Sequence, residues 1–98
     1  MAFRLTWSPT ARLDLWNLLE YISESSRQAA GDFGRGVFEA VERLKEFPES
    51  GRIVPELGDP AIREIIRRPC RIVYRVKSDQ ETIEIARVWH AARGIPEI

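Results

Sequence analysis

Cysteine, histidine and lysine are scarce in this chain of 98 residues, which contains one Cys, one His and two Lys. A single thiol, Cys70, cannot form an internal disulfide, so we expect a reducing compartment. Its apolar and Arg neighbours favour a small buried hydrophobe over a nucleophile. One Cys and one His are too few soft ligands for a structural zinc site within one chain, so no metal is expected.

Long apolar runs are also absent. No stretch approaches the roughly 18 apolar residues of a membrane span, and the first residues lack the apolar core of a signal peptide. We therefore expect a cytoplasmic protein with no membrane partner. The length suits one domain, 1–98. Its 44% hydrophobic residues, with three Trp, two Tyr and four Phe, exclude global disorder.

An excess of charge of one sign is missing as well, because 15 basic and 15 acidic residues give a formal charge of zero. The whole chain therefore has no electrostatic reason to coat DNA, and we expect no direct sequence-specific DNA binding. The charges are unevenly placed, however: residues 63–75 hold five Arg and one Glu. Cations this dense repel one another unless acids of the chain or of an anionic partner compensate them.

Apolar periodicity predicts a strand, two helices and three further strands. In chain order we expect a strand at 3–7, a helix at 9–25, a helix from about 30 to 47, a loop at 48–61, and strands at 62–67, 71–77 and 82–90. Ser8-Pro9 is a typical start of the first helix. The pattern predicts an α+β fold, β-α-α-β-β-β, in which a helical hairpin packs on one face of a largely antiparallel sheet of about four strands.

The predicted core joins the hairpin to the sheet. Its expected members are Leu15, Leu18, Ile22, Phe33, Val37 and Val41 from the helices and Ile72, Tyr74, Val76 and Ile85 from the sheet. The opposite sheet face would then be open to solvent or to a partner, with Arg71, Arg75 and Lys77 on it. Gly34 and Gly36 indicate either a weak second helix or a close approach of another segment.

His90 is the only side chain whose ordinary pKa lies near neutrality, although a lone His at a strand end is more often structural. A ribonuclease that works without metal needs a base, an acid and cations around the phosphorane. Glu56, Arg71 and His90 supply these groups if the fold brings them together. Tyr74 is a further candidate, but its face of the strand favours a place in the core.

A series of short motifs runs through nearly the whole chain. They are Trp7-Ser8-Pro9-Thr10-Ala11, Phe47-Pro48, Gly51-Arg52, Val54-Pro55-Glu56, Arg63-Glu64, Arg71-Ile72-Val73-Tyr74-Arg75-Val76 and Val88-Trp89-His90-Ala91-Ala92-Arg93. Their order and spacing resemble the ParE/RelE superfamily of type II toxin–antitoxin toxins, also called plasmid stabilisation proteins. The resemblance implies a bacterial toxin neutralised by a cognate ParD-like antitoxin, for example one with a ribbon-helix-helix part.

The resemblance implies two activities. ParE members inhibit DNA gyrase without being enzymes, whereas RelE members cleave mRNA on the ribosome. The RelE site depends on several lysines, and this chain has only two. A related branch uses Glu, Arg and His instead, and Glu56, Arg71 and His90 lie near the corresponding positions. The loop Pro48-Glu49-Ser50-Gly51-Arg52 and the ending of the last strand favour the ParE branch, without a cofactor. A non-toxic member that only binds its antitoxin is a further alternative.

On the favoured ParE interpretation, antitoxin or target binding falls to the cations of the second half of the chain. The candidates are Arg63, Arg67, Arg68, Arg71, Arg75, Arg87, His90 and Arg93. Arg suits such a surface because its planar guanidinium binds carboxylates through two parallel hydrogen bonds.

Overall fold

The computed structural model describes residues 2–98, which form two helices packed on a mixed sheet of five strands. The elements are β1 (Arg4–Trp7), α1 (Pro9–Ser25), α2 (Arg27–Glu42), β2 (Arg52–Ile53), β3 (Ile62–Arg67), β4 (Cys70–Lys77) and β5 (Thr82–His90), with short 3₁₀ turns at Arg43–Lys45, Ser78–Gln80 and Ala91–Arg93. The sheet order is β1-β5-β4-β3-β2, with β1 parallel to β5 and the other pairs antiparallel.

The predicted α+β fold and its element order are confirmed, but the prediction of about four strands is wrong. The fifth strand, β2, lies inside the segment expected to be a loop, where Arg52 and Ile53 pair with Glu64 and Arg63 of β3. Two residues are too few to show an alternating pattern, so this pairing has no periodic signal in the sequence.

Serine hydroxyls mark the start of both helices. Ser8 accepts a hydrogen bond from the Ala11 amide at 3.0 Å and donates to the Ala86 carbonyl at 3.0 Å, which ties the start of α1 to β5. Ser26 accepts from the Ala29 amide at 3.1 Å, so α2 begins at Arg27, earlier than predicted. A single residue therefore separates the two helices of the hairpin.

The core lies between the hairpin and the sheet, as predicted. Its buried members are Ala11, Leu15, Phe33, Val37, Val41, Leu44, Cys70, Ile72, Tyr74, Ile83, Ile85 and Val88, and Leu18, Ile22 and Val76 pack partly buried against it. Inside the hairpin, a Cβ added to Gly34 would lie 3.5 Å from the Leu19 side chain. Gly34 therefore permits close packing of the two helices of this chain.

The sheet face away from the helices is more covered than expected. Val73 and Trp89 lie on that face and are 0% and 2% exposed. The end of the chain folds back over it: the Trp89 indole N–H donates to the Gly94 carbonyl at 3.2 Å, and Pro96 is buried. The expectation of a face wholly open to solvent or a partner is therefore wrong, because a second small core forms there.

Candidate functional site

Arg71 lies at the centre of the polar groups on this second face. Its strand neighbours Cys70 and Ile72 belong to the helix-side core, so alternation along β4 turns Arg71 the other way. The residue is only 7% exposed, which corrects the expectation that it points into solvent. Its Nε donates to Glu64 at 2.6 Å, and its two Nη atoms donate to Glu56 at 3.0 and 2.7 Å.

Glu64 links this group to a second arginine. Its side chain is completely buried and also accepts from the Nε of Arg52 at 2.6 Å, whose side chain is 57% exposed. We call the four residues Glu56, Arg71, Glu64 and Arg52 the ion-pair chain. Two carboxylates and two guanidinium groups balance their charges, which is the condition under which buried charges are tolerated. The acids that these strand cations need therefore come from the chain itself.

The ion-pair chain changes the acid–base properties of its members. Hydrogen bonds from Arg71 are the main reason that the pKa of Glu56 falls from 4.5 to about 2. Hydrogen bonds to Glu56, and then to Glu64, raise the pKa of Arg71. Glu56 is therefore ionised at neutral pH with both oxygens engaged, an arrangement that makes it a weak proton acceptor.

His90 lies at the end of β5, apart from the Glu56–Arg71 pair. It pairs with Cys70 in the sheet, so its Cβ points to the helix side, whereas Arg71 points to the other face. His90 Nδ1 accepts a hydrogen bond from the Ala92 amide at 3.1 Å and so begins the last 3₁₀ turn. The structure thus joins two of the three proposed catalytic residues and holds the third in a different hydrogen-bonding group.

A shallow depression at this end of the sheet nevertheless brings cations near one another. Its volume is about 630 Å³, and Arg52, Arg68, Arg71 and His90 line it together with apolar groups. The depression is therefore a place where an anionic group of a partner would meet the exposed guanidinium groups of Arg52 and Arg68.

Arg87, another predicted binding residue, is held by α1. Asp14 accepts from its guanidinium at 2.8 and 3.0 Å and also accepts from the Val88 amide at 3.0 Å, beyond the point where β1 stops pairing with β5. The hydrogen bond to Asp14 is the main cause of the raised pKa of Arg87. Sequence reasoning gave Asp14 no role, although an acid beside the apolar stripe of a helix was a usable signal.

Arg63 and Arg75 also satisfy acceptors of the chain. Arg63 donates to the carbonyl oxygens of Pro60 and Gly51, both at 3.0 Å, and Arg75 donates to Glu84 at 3.2 Å. Four of the eight predicted binding residues, Arg63, Arg71, Arg75 and Arg87, therefore donate side-chain hydrogen bonds within the chain. Their binding role remains a prediction.

The other four predicted residues, Arg67, Arg68, His90 and Arg93, are exposed. The guanidinium of Arg67 occupies the space that a Cβ on Gly36 would need, so this glycine makes room for Arg67 rather than for a backbone. Arg93 stacks on the Trp89 ring with 3.9 Å between the guanidinium carbon and the ring centroid. Within residues 2–98 neither Arg67, Arg68 nor Arg93 forms an ion pair.

An exposed aromatic groove was not predicted. Trp16 and Phe38 are 63% and 51% exposed, and the Phe38 ring lies 5.7 Å from the ring of Trp7. Trp7, Arg12, Leu15, Trp16, Leu19 and Phe38 line this aromatic groove, which has a volume of about 320 Å³. Large exposed apolar groups that lie together are typical of protein-binding surfaces.

Cys70 is 1% exposed, and burial raises its pKa to about 11, which agrees with a small buried hydrophobe. Over residues 2–98, no group of three or more His, Cys, Asp and Glu side chains has the arrangement of a metal site. No described helix combines the length and the apolar character that crossing a membrane requires.

Comparison with known proteins places the chain in a family. The model of the ParE toxins of type II toxin–antitoxin systems, parDE, matches residues 5–95. Toxin RelE2 of Caulobacter vibrioides is 30% identical over 90 residues, which cover 92% of this chain and 97% of the relative. A structure described as the chromosomal ParDE toxin–antitoxin system from P. aeruginosa has the same fold, with a TM-score of 0.72, 24% identity, and coverage of 91% of this chain and 96% of the other. The chain therefore belongs to the ParE toxin family of type II toxin–antitoxin systems.

Proposed function

We propose that this toxin arrests growth by binding and poisoning DNA gyrase in the cytoplasm, and that an antitoxin neutralises it. The observation that carries the proposal is the Glu56–Arg71 pair. Both oxygens of Glu56 accept hydrogen bonds from Arg71, and the pKa of Glu56 is about 2. This geometry supports a toxin that acts by binding rather than by general base catalysis through Glu56.

The surface offers two kinds of contact for an antitoxin. The aromatic groove presents Trp16 of α1 and Phe38 of α2 beside Trp7 of β1, and an amphipathic helix would bury its apolar face there. The exposed cations Arg67, Arg68 and Arg93 attract acidic side chains. A partner segment that is both amphipathic and acidic suits this combination.

A supercoiling assay tests the gyrase target. Micromolar purified toxin should inhibit purified gyrase and cause cleaved DNA–gyrase complexes to accumulate. Arg27→Ala, a substitution at an exposed position at the start of α2, should inhibit gyrase as strongly as the wild type. Unchanged supercoiling at toxin concentrations that arrest growth would contradict the proposal.

A ribosome-dependent endoribonuclease is the second candidate. It is favoured by the exposure of His90, which lines one depression together with Arg68 and Arg71, and by the similarity to a protein named Toxin RelE2. It predicts cuts at codon-defined positions of mRNA in a translating extract, lost in His90→Ala. Intact mRNA at growth-arresting doses would exclude it. Unchanged growth after induction without antitoxin would instead indicate a non-toxic, antitoxin-binding member.

A further inference from the structure

The outer edge of β3 is longer than the strand that covers it. β2 pairs only with Arg63 and Glu64, whereas β3 continues to Arg67. The Val54 amide donates to the Ile62 carbonyl at 3.1 Å, so the backbone groups of Ile62 face the β2 side. At a period of two residues, those of Glu64 and Ile66 face the same side.

Ile66 is consequently an open pairing position. No residue of the described chain pairs with it on the β2 side, because the register of β2 begins at Arg52 opposite Glu64. Ser50, which this register would place opposite Ile66, donates its amide to the Phe47 carbonyl at 3.0 Å instead, so the chain has turned away from β3 there. One N–H and one C=O of β3 thus remain available to an incoming strand.

The surroundings of Ile66 are strongly basic. Two depressions meet at Arg52 and Ile66, one of about 630 Å³ that includes Arg68 and one of about 350 Å³ that includes Arg43. Arg67 lies on the helix side of the same strand end. We call Arg43, Arg52, Arg67 and Arg68, all exposed around Ile66, the cationic edge. Among the described residues that line either depression, Glu64 is the only acid, and it is already paired with Arg52 and Arg71.

We infer that an extended acidic segment of the antitoxin adds to the sheet at Ile66 as a further strand, an inference that rests on the proposed function. Backbone hydrogen bonds to Ile66 set its register. Acidic side chains of the segment meet Arg67 where they point to the helix side and Arg52 where they point to the other side. Charge selects this occupant over a second copy of the toxin. Two such edges would bring together six guanidinium groups that have no acid of the described residues beside them, those of Arg43, Arg67 and Arg68 from each copy, an arrangement that like-charge repulsion opposes.

The test uses an acetylated and amidated peptide of four Val-Glu repeats as the probe, with a Val-Lys peptide of the same length as its control. Fluorescence anisotropy measures binding to the full-length toxin, and hydrogen exchange by NMR follows the Ile66 amide. The Val-Glu peptide should bind and slow exchange at Ile66, and the Val-Lys peptide should not. Ile66→Pro removes the outward N–H without removing a bond to β4, so the dissociation constant should rise at least about fivefold.

Ile66→Thr is the matched control because it keeps the N–H and should bind like the wild type. Circular dichroism and thermal unfolding check that both variants are folded. If Ile66→Pro does not fold, Arg68→Glu replaces it, and the expected loss of affinity is about tenfold, compared with no change for the remote Arg27→Glu. Equal binding of the two peptides, or no effect of Ile66→Pro or Arg68→Glu, would overturn the inference.

Two further outcomes would also overturn it in favour of another occupant. A toxin dimer in analytical ultracentrifugation that Ile66→Pro abolishes would assign the edge to a second copy. A single-stranded RNA octamer that binds more tightly than the Val-Glu peptide and protects the Ile66 amide would assign it to nucleic acid. Gyrase inhibition by the free toxin is measured in parallel. If the free toxin does not inhibit gyrase, the proposed target is refuted, and the peptide-binding result is judged independently of it.

Discussion

At the scale of single residues, Glu64 has the most demanding surroundings of the polar side chains in the described chain. It is fully buried, and it accepts hydrogen bonds of 2.6 Å from both Arg52 and Arg71. Removing one partner from a buried ion pair leaves an uncompensated charge, which costs far more than the loss of an exposed pair. Within the ion-pair chain, the buried residues Glu64 and Arg71 should therefore contribute most to the free energy of unfolding.

We expect Glu64→Gln to lower the free energy of unfolding by about 3 kcal/mol, because Arg71 stays buried with one carboxylate fewer. Urea unfolding measures the change. The matched control is Glu84→Gln, whose carboxylate is 25% exposed and pairs with Arg75, and whose expected cost is below about 1 kcal/mol. If the two substitutions lower the free energy of unfolding equally, burial does not increase the contribution of the Glu64 ion pairs to stability.

Glu56 makes stability depend on pH. Its pKa falls from 4.5 to about 2 in the folded chain, so on acidification the unfolded state takes up the proton first. The stabilisation is complete above pH 4.5 and is lost as pH falls toward 2. Between pH 5 and 2 the free energy of unfolding should fall more steeply for the wild type than for Glu56→Gln. Parallel curves from urea titrations at each pH would contradict this.

At the scale of elements, Gly36 and Gly51 both leave space for a neighbouring group, but the two neighbours differ in how freely they can move. Gly36 lies in α2 under the guanidinium of Arg67, the flexible end of a long side chain. Gly51 precedes β2, and a Cβ there would lie 2.6 Å from the Glu64 carbonyl oxygen and 2.6 Å from the Tyr74 hydroxyl. The first neighbour can move into solvent, whereas the second pair belongs to the sheet and the core.

Alanine at these two positions should therefore act in opposite directions. Gly36→Ala gains helix propensity while Arg67 swings outward, so the free energy of unfolding should rise by about 0.5–1 kcal/mol. Gly51→Ala forces the sheet or Tyr74 to shift and should lower it by about 1–3 kcal/mol. Chemical denaturation of both variants measures the two signs. A loss of stability in Gly36→Ala would mean that Arg67 cannot leave its place over α2.

At the scale of the whole molecule, the charges and the apolar surface are separated. The buried and half-buried arginines of β4 and β5 find acids on α1, on β3, on β5 and in the segment before β3, which explains how a chain of zero net charge holds so many cations on its strands. What remains for a partner is the cationic edge at one side of the sheet and the aromatic groove beside α1. In our proposals, the antitoxin contacts both surfaces.

Trp16→Ala tests the aromatic groove. Because Trp16 is 63% exposed, its loss should change the free energy of unfolding by less than about 0.5 kcal/mol, whereas the loss of a central aromatic anchor should weaken antitoxin binding at least about tenfold. Isothermal titration calorimetry with the cognate antitoxin measures the second effect. Leu13→Ala, 59% exposed and outside the groove, is the control. Equal affinities of the two variants would remove the groove from the antitoxin site.

Features that depend on residues close together in the sequence were predicted correctly, and features that depend on contacts between distant segments were missed. The Ser8-Pro9 start of α1 and the alternation of β4 depend on neighbours in sequence, and both were predicted. The two-residue strand β2 depends on its contact with β3, and it was not. Of the proposed catalytic residues, Glu56 and Arg71 do come together, but as an ion pair, because the guanidinium of Arg71 donates hydrogen bonds to both Glu64 and Glu56.

The sequence by itself determined the family, the order of the helices and strands and the apolar stripe of the core, since motifs and periodicity are local properties of a chain. Only the tertiary structure decided which cations are free. Arg71 and Arg87 are neutralised by Glu56, Glu64 and Asp14, which lie 15, 7 and 73 residues away along the chain. Strand register and helix packing set such pairings, and the physical reason is that a buried charge takes the partner that the fold places beside it.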